Sequence, residues 1–525
     1  MALFLSIIPI VILIYLMVKR NSLPSYIALP ITAVIVLVIQ IFYFQEDLTL
    51  LSANMVSGVV ATLTPITIIF GAILFNRMME ETGSVNVLRH WLSNINPNPV
   101  AQLMIIGWAF AFMIEGASGF GTPAAIAAPI LVGLGFAPLR VAVFTLVMNS
   151  VPVSFGAVGT PTWFGFAPLN LGEQALLEVG AQSAVIHSIA ALVIPIIALR
   201  FIVGWAEIRR NIIFIYLSIL ACTVPYFLLA QINYEFPALV GGAIGLLLSI
   251  FFANQGFGIQ KIHDENQESV PFSVVFKAML PTMLLIAILV VTRIHQFGIK
   301  GWLNDTTALF TLPLGVLGQF EVSRALIFSW LNIFEQGVSA NYRTLYVPAL
   351  IPFVVTVLIS FTIFKLQRGQ KSAIFTASFA QVQKPFLALV GALIMVKLML
   401  VGGEQSMVQI IGRSFAQATG ENWTFFSAYL GAIGAFFSGS NTVSNLTFGG
   451  IQYSIAQTTG LSATLVLALQ SVGGAMGNMV CINNIIAVCS ILNMKNQEGT
   501  IIKRTVIPMF IYGVIAALVA VLLLS

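Results

Sequence analysis

Two polar stretches interrupt long apolar segments of this chain, and both carry groups that can bind a small anion. Residues 112–124 read Phe-Met-Ile-Glu-Gly-Ala-Ser-Gly-Phe-Gly-Thr-Pro-Ala and combine one carboxylate with two hydroxyls and three glycines. Residues 438–450 are rich in glycines, amides and hydroxyls but contain no carboxylate. In hydrocarbon, backbone that is not helical needs partners in protein or water, and a charge at that depth usually faces a cavity. We therefore expect both stretches to line one substrate site.

Helix breaks of this kind favour the binding of a carboxylate. Helix N-termini that face a cavity offer N–H groups and partial positive charge to an anion, and glycines let the backbone approach it closely. The candidate substrate-binding residues are Ser118, Gly119, Gly121, Thr122, Ser440, Asn441, Thr442, Ser444, Asn445, Asn149, Ser150 and Asn478. Two alternatives stay open: the small residues serve helix packing, and the asparagines and Ser150 cap broken helices. Broken helices also bind cations through free carbonyl groups.

Glu115 is the candidate proton-coupling group. Burial disfavours the charged form of a carboxyl group, so a carboxyl in an apolar tract can load and release a proton. The alternative is a structural hydrogen bond that caps the helix break. The simpler interpretations are snorkelling to the interface for Lys397, packing or capping for His187, and an interfacial position for Glu404. Whether these residues take part in transport is left open.

The composition is that of a membrane protein. Of 525 residues, 58% are hydrophobic and 8% are charged, whereas about 25% of the residues of a soluble domain are charged. Roughly a dozen apolar runs reach the ~20 residues that a membrane-spanning helix needs. They include residues 27–44, 211–230, 236–253 and 506–524. The sequence therefore predicts an all-α polytopic membrane protein with about 12 transmembrane helices.

Charged loops indicate how the chain is organised. Basic loops mark the cytoplasmic side, which places the polar loop 254–277 inside. Positions about 324 residues apart match, Glu80 with Glu404 and Arg89 with Arg413, while the matching loops fall on opposite predicted sides. This pattern is typical of the inverted repeats of secondary transporters.

We accordingly divide the chain into N-terminal scaffold spans (1–50), a first inverted repeat (51–205), linking and scaffold spans (206–380) and a second inverted repeat (381–525). Each repeat is expected to contain, in order, a span, a surface helix, a re-entrant hairpin, a broken helix and a closing span. In the first repeat, the predicted pieces are the span 55–75, a surface helix within 76–99, a break at 115–123, a broken segment 139–165 interrupted at 149–156, and the closing span 183–203. In the second repeat, they are the span 386–402, a break at 438–450, a broken segment 461–490 interrupted at 473–478, and the closing span 506–524. Each break is followed by about 12 apolar residues. The expected mechanism is an elevator-type movement of the hairpins and broken helices against spans such as 27–44 and 345–364.

The residue inventory disfavours an intramembrane enzyme. Aspartate occurs only at Asp47, Asp264 and Asp305, and the four histidines are scattered without a His-Glu-x-x-His motif. No nucleotide-binding loop is present, which argues against ATP-driven transport. We therefore expect no cofactor, no metal site and no nucleic-acid partner. An anion channel is the other alternative, and the two-fold character of the repeat disfavours it.

The segment Glu115-Gly-Ala-Ser-Gly-Phe-Gly-Thr-Pro-Ala-Ala-Ile-Ala-Ala-Pro-Ile-Leu-Val-Gly-Leu-Gly-Phe136 resembles the signature of the L-lactate permease family. The pattern from Asn149 to Gly159 and the segment 439–445 agree with it, so the resemblance covers nearly the whole chain. It implies uptake of L-lactate, and of glycolate or D-lactate, by proton symport across the plasma membrane, the inner membrane of a bacterium. Residues 440–442, Ser-Asn-Thr, are also similar to the hairpin tips of sodium-coupled dicarboxylate transporters, so sodium coupling is the alternative. The preferred acid and enantiomer and a homo-oligomeric state are left open.

Overall fold

The computed structural model describes residues 1–18, 23–119, 122–260, 270–293, 297–347, 349–495 and 497–524. Most of these residues are helical. The helices of the first part of the chain are α1 (Ala2–Val18), α2 (Ser25–Ile39), α3 (Leu48–Ala61), α4 (Leu63–Glu81), α5 (Ser84–Ser93), α6 (Pro99–Gln102), α7 (Ala111–Ser118), α8 (Thr122–Gly133), α9 (Pro138–Met148), α10 (Gly156–Trp163), α11 (Glu173–Ala190), α12 (Ile194–Arg200), α13 (Trp205–Arg210), α14 (Ile212–Ala230) and α15 (Pro237–Gln255).

The second part of the chain continues the helical pattern and adds one small sheet. Its helices are α16 (Phe272–Arg293), α17 (Ile299–Leu303), α18 (Thr356–Ile363), α19 (Arg368–Met399), α20 (Met407–Thr419), α21 (Thr424–Ser438), α22 (Asn441–Thr459), α23 (Ala463–Gly477), α24 (Ile482–Ile491) and α25 (Glu498–Leu524). Wider π-helical turns cover Gln40–Phe44, Leu103–Phe110 and Ala349–Val355. Tighter 3-10 turns cover Pro152–Phe155, Ala167–Leu169, Gly315–Leu317, Gly403–Gln405, Gly420–Trp423 and Asn478–Val480.

The predicted all-α polytopic class is confirmed. Within the described residues, nine helices are long and apolar enough to cross a membrane, and eleven if two bent pairs each count as one span. The bent pairs are Pro138–Met148 with Pro152–Leu169, at 58°, and Glu173–Ala190 with Ile194–Arg200, at 41°. The first of these bends falls at the predicted interruption 149–156.

The chain forms two compact units, each made of two stretches of sequence. The first comprises Met1–Val85 and Lys277–Ser414, and the second comprises Asn86–Phe276 and Phe415–Ser525. The chain therefore passes between the units within α5, α16 and α20. Both α5 and α20 are strongly amphipathic, as expected for helices at a membrane surface.

In the first unit, the long helix α19 packs against α2, α3 and α4. Close contact is possible because Gly391 faces Pro30 and Gly58 faces Ile394, where an added Cβ would lie 2.4 Å and 3.1 Å from backbone atoms. The side chain of Gln40 donates a hydrogen bond of 2.5 Å to the carbonyl of Leu398. Helix α19 begins at Arg368, so the predicted span 386–402 starts too late.

A four-stranded sheet, which the sequence did not predict, also belongs to the first unit. Its strands β1 (Ala308–Pro313), β2 (Gln319–Ser323), β3 (Ile327–Ile333) and β4 (Val338–Arg343) are antiparallel neighbours in chain order. The sheet packs on α3, where Ser57 donates a hydrogen bond of 3.3 Å to the carbonyl of Ser339. The predicted span 345–364 is shorter than expected, because its apolar helical part covers only Leu350–Ile363.

In the second unit, α7 crosses α15 at close range and α21 packs along α23. A Cβ added at Gly116 would lie 2.1 Å from the backbone nitrogen of Leu239, and one added at Gly242 would lie 2.4 Å from that of Met113. These glycines allow the end of α7 to pack directly on α15. The end of α7 carries Glu115.

Two helical hairpins occur at the predicted places, with different lengths. In the first, α7 ends at Ser118, and the second helix, α8, begins at Thr122 and has the predicted 12 residues. The second turns at Gly439 and Ser440 alone, and α22 continues for 19 residues. The predicted break 438–450 was therefore too long, because Ser440 caps α22 by accepting a hydrogen bond from the backbone N–H of Val443.

Two other boundaries also differ from prediction. Helix α23 continues through the predicted interruption 473–478 as far as Gly477, and the break follows at Asn478–Val480. Gly473 and Gly477 permit close packing rather than ending the helix, since a Cβ added there would lie 1.9 Å and 2.4 Å from carbonyl oxygens of α21. The first closing span begins at Glu173 rather than 183.

Candidate functional site

Four helix breaks of the second unit meet around one cavity. The atom-free space between these breaks is about 260 Å³, a figure that includes space open to solvent. The lining residues come from the first hairpin, the first broken helix, the second hairpin and the second broken helix. They are Glu115, Gly119, Val153, Gly156, Ala157, Pro161, Gly439, Ser440, Asn441, Thr442 and Asn478.

Glu115 lies on the last turn of α7, with 1% of its surface exposed. Its Oε2 accepts a hydrogen bond of 3.1 Å from the side-chain amide of Asn149, at the end of α9. Its Oε1 lies against Gly156, where an added Cβ would be 2.4 Å away. The carboxyl group is thus held between the two ends of the first break, at Asn149 and Gly156.

A left-handed turn follows this clamp. Ala157, Val158 and Gly159 have φ of 44°, 56° and 69°, inside the segment Gly156–Trp163. A left-handed conformation costs an L-residue about 1–2 kcal/mol, and most for a β-branched one such as valine. Such strain persists only where the surroundings enforce it, and it concentrates at functional sites.

The surroundings of the left-handed turn are correspondingly tight. A Cβ added at Gly159 would lie 2.1 Å from the carbonyl oxygen of Tyr234. Thr162 donates a hydrogen bond of 3.0 Å to the carbonyl of Ser154, and Asn445 donates one of 2.9 Å to the carbonyl of Pro161. These contacts fix the wall of the cavity that the turn forms.

The second hairpin presents a helix N-terminus to the cavity. Gly439 has a φ of 75°, which reverses the chain, and Ser440, Asn441 and Thr442 then begin α22 beside the cavity. The first N–H groups of a helix have no acceptor within the helix, and the helix dipole makes this end partially positive. This end of α22 is therefore suited to a carboxylate.

Two asparagines shape this polar side. Asn441 donates a hydrogen bond of 3.0 Å to the carbonyl of Ser471, and its Oδ1 packs against Gly474, where an added Cβ would be 1.9 Å away. Asn478 accepts a hydrogen bond of 2.8 Å from Asn484, beyond the second break. Both side chains are thereby oriented before any ligand arrives.

A buried network of amides and hydroxyls fastens the second hairpin to α23. Gln452 accepts hydrogen bonds from the indole of Trp423 (2.6 Å) and the hydroxyl of Ser427 (3.0 Å), and it donates to Gln470 (2.9 Å). Gln470 in turn donates to Ser444 (3.0 Å) and Asn445 (3.3 Å). Satisfied buried networks of this kind rigidify a structure.

A second network lies behind the first broken helix. The Nε2 of His187 is 2.8 Å from the hydroxyl of Ser154, and its Nδ1 is 2.5 Å from the hydroxyl of Tyr512. Ser471 donates a hydrogen bond of 2.9 Å to the same hydroxyl of Ser154. His187 is thus a packed residue with polar partners on two other helical segments, Pro152–Phe155 and α25.

The structure brings about half of the predicted site residues to the cavity. Those that line it are Glu115, Gly119, Ser440, Asn441, Thr442 and Asn478. Asn149 is one hydrogen bond away, and Ser444 and Asn445 belong to the buried network. Ser118 and Ser150 bond to carbonyls of their own helical turns, and Thr122 begins α8 without lining the cavity. Gly121 lies outside the described residues.

Sequence reasoning missed the apolar residues of the site and its supporting amides. Val153, Ala157 and Pro161 line the cavity but look like ordinary residues of an apolar segment. Gln452 and Gln470 offered a signal, because a buried glutamine in a membrane segment needs partners.

The three ionisable residues left open have separate surroundings. Lys397 lies in the last turn of α19, in the first unit. Glu404 lies in the 3-10 turn Gly403–Gln405 of the same unit and forms an exposed ion pair with Arg413, with 3.2 Å between the charged groups. His187 is enclosed in the network described above. Within the described residues, no three His, Cys, Asp or Glu side chains form a group that could hold a metal ion.

Comparison with known proteins identifies the family of the chain. The model of the L-lactate permease family matches residues 2–525. The chain belongs to the L-lactate permease family. A protein of Haemophilus influenzae, provisionally named as an L-lactate permease, is 65% identical over 520 residues, which are 99% of this chain and 98% of the relative.

More distant relatives extend the comparison. The L-lactate permease of Escherichia coli is 24% identical over 98% of this chain and 94% of its own length. The glycolate permease of the same organism is 25% identical over 95% of this chain and 92% of its own length. The expected family is confirmed, and with it a multi-pass transport protein of the plasma membrane that is not an enzyme.

Proposed function

We propose that this chain imports L-lactate, with glycolate as a further substrate, together with a proton. Its relatives carry the names of L-lactate and glycolate permeases. The observation that carries the proposal is the pairing of a buried carboxyl group with a helix N-terminus in one cavity. Glu115 is the one ionisable side chain among the lining residues that the structure describes.

The division of the site explains how an anion binds without an arginine. The substrate carboxylate would bind the N-terminus of α22, with Ser440, Asn441 and Thr442 as neutral hydrogen-bond donors. The 2-hydroxyl group of the substrate would complete the polar contacts with Asn478. No charged side chain then has to follow the substrate across the membrane.

Protonation of Glu115 would couple substrate and proton. Two like charges about 5 Å apart repel by about 3 kcal/mol at an effective dielectric constant of 20, which corresponds to more than about a hundredfold in affinity. An ionised Glu115 therefore opposes binding of the lactate anion, and a neutral one permits it. Proton and anion cross together, so the loaded site carries no net charge.

Transport would follow an elevator-type movement. The order span, amphipathic helix, hairpin, broken helix and closing helix recurs, first from α4 to α12 and again from α19 to α25. This recurrence supports the two inverted repeats. We propose that the second unit carries the substrate, that the first unit is the scaffold, and that α5 and α20 are the connecting arms. The four-part division of the chain and a homo-oligomeric state stay predictions.

Sodium coupling is the second candidate. Ser440, Asn441 and Thr442 at the second tip, and the broken helices with their free carbonyl groups, would suit a cation as well as an anion. Proton coupling and sodium coupling predict that uptake depends on different ions, so an experiment can distinguish them.

The test is uptake by the purified protein in liposomes. With an acidic exterior and no sodium, radiolabelled L-lactate should accumulate above its external concentration, and unlabelled glycolate should compete. Collapse of the pH gradient should abolish accumulation. Accumulation that requires sodium would replace proton coupling by sodium coupling, and mere equilibration under every gradient would indicate a channel.

A further inference from the structure

The residues that line the cavity include two chemically different groups, which we call walls. One, the polar wall, consists of Ser440, Asn441, Thr442 and Asn478. The other, the apolar wall, consists of Val153, Ala157 and Pro161, all from the first broken helix. A ligand that fits both walls has hydrogen-bonding groups at one end and an alkyl group at the other.

The apolar wall cannot easily move away from a larger ligand. Val153 and Ala157 are 3% and 2% exposed. Next to Val153, the hydroxyl of Ser154 is held by His187 and Ser471. The carbonyl of Pro161, at the other end of the wall, accepts the hydrogen bond from Asn445. The wall is therefore held at both ends, and the size of its side chains decides how much alkyl group fits.

The carboxyl group of Glu115 is held by contacts outside the apolar wall. Its two carboxyl oxygens are engaged by Asn149 and packed against Gly156. A substrate whose carboxylate and 2-hydroxyl group bind the polar wall would direct the substituent on its second carbon toward the apolar wall. That substituent is a hydrogen in glycolate, a methyl group in lactate and an ethyl group in 2-hydroxybutyrate.

We propose that the apolar wall, and Val153 above all, determines which 2-hydroxy acids the chain transports by the length of their alkyl group. The inference rests on the proposed function for the class of substrate and adds a rule for selection within it. Each buried methylene group contributes about fourfold in affinity where it fits. A methyl group that does not fit is rejected by about tenfold or more.

The experiment measures uptake of glycolate, L-lactate and 2-hydroxybutyrate by Val153→Ala and Val153→Ile. Val153→Ala should raise uptake of 2-hydroxybutyrate relative to lactate about fourfold, because it opens space for one methylene group. Val153→Ile should lower uptake of lactate relative to glycolate about tenfold, because it fills the space of the methyl group. The melting temperature in detergent reports that each variant is folded.

Val151→Ala is the matched control. Val151 is a fully buried valine of the same segment but does not line the cavity. Its uptake ratios should equal those of the wild type. If Val153→Ala and Val153→Ile leave all ratios as in this control, the apolar wall does not select substrates. Failure of the proposed function appears differently, as a wild-type protein that accumulates none of the three acids.

Discussion

The two hairpins hold their tips in opposite ways. The second is fastened to α23 by the buried network of Gln452 and Gln470. The first has no polar side chain after Thr122 in α8, whose remaining residues read Pro-Ala-Ala-Ile-Ala-Ala-Pro-Ile-Leu-Val-Gly. Its carboxyl group is placed by single contacts with Asn149 and Gly156. Small apolar contacts are weak and easily remade, whereas a satisfied network is rigid.

This difference fits a division of labour between the tips. Recognition of an anion benefits from donors that are oriented in advance, because ordering them on binding would reduce affinity. Proton exchange needs a group whose surroundings change during transport. We therefore assign recognition to the second tip and proton coupling to the first, and the following variants test that contrast.

Glu115→Gln should have the largest effect. The amide keeps the shape of the carboxyl group but cannot exchange a proton, so the lactate concentration inside liposomes should never exceed that outside. Uptake under an imposed pH gradient is the measurement. Glu178→Gln, at an exposed position of α11, is the matched control and should accumulate lactate normally. Normal accumulation by Glu115→Gln would remove the first tip from proton coupling.

Gln452→Leu should cause the next largest change, in stability. It deprives Trp423, Ser427 and Gln470 of buried hydrogen-bond partners, and each orphaned group costs about 1–3 kcal/mol. The melting temperature in detergent should fall by several degrees. Gln457→Leu, on the exposed side of the same helix, should leave it nearly unchanged. Equal melting temperatures for the two variants would mean that the network does not fasten the second hairpin.

Gly156→Ala should weaken coupling without changing any charge. The backbone of Gly156, with φ of −63° and ψ of 156°, accepts alanine, but the new Cβ would collide with Oε1 of Glu115. Forcing the carboxyl group off its preferred rotamer costs about 0.5–1.5 kcal/mol, so gradient-driven uptake should fall up to about tenfold.

Gly133→Ala provides the comparison for this variant, because a Cβ added there meets nothing within 4 Å. Its uptake should equal that of the wild type. If Gly156→Ala also transports normally, the position of the Glu115 carboxyl group between Asn149 and Gly156 does not matter for coupling.

Ser118→Ala should have the smallest effect. The hydroxyl of Ser118 bonds to the carbonyl of Ile114 in its own helix, a contribution of about 0.5–1.5 kcal/mol to stability. The KM for lactate should stay close to the wild-type value, whereas Ser440→Ala, which removes the cap of α22 beside the cavity, should raise it. A larger rise for Ser118→Ala would place the substrate on the first tip.

The sequence revealed the breaks better than their lengths or supports. The first hairpin was predictable because a glutamate, hydroxyls, glycines and a proline stand together in an apolar tract. The length of the break in the second hairpin was overestimated, because Gly449 also looks like a helix breaker. Gly473 and Gly477 misplaced the break of the second broken helix for the same reason. In the structure they admit neighbouring side chains and helices at close range. A glycine can thus either end a helix or allow another element to pack closely on it, and the sequence alone does not distinguish the two roles.

The apolar wall and the sheet were not predictable for a related reason. The left-handed turn at Ala157 and Val158 opposes the local preference of both residues and is imposed by tertiary contacts. The segment of the sheet is rich in apolar residues, although the alternation of Phe320 with Val322 and of Phe328 with Trp330 suits strands.

Counterflow tests the division of labour most directly. Liposomes loaded with unlabelled lactate exchange it for external labelled lactate without any proton gradient. Glu115→Gln should retain this exchange while losing gradient-driven accumulation, and Asn441→Ala should lose both, with Thr442→Val as a second variant of the polar wall. If Glu115→Gln loses counterflow as completely as Asn441→Ala, or if both polar-wall variants exchange normally, the two tips do not divide recognition and coupling between them.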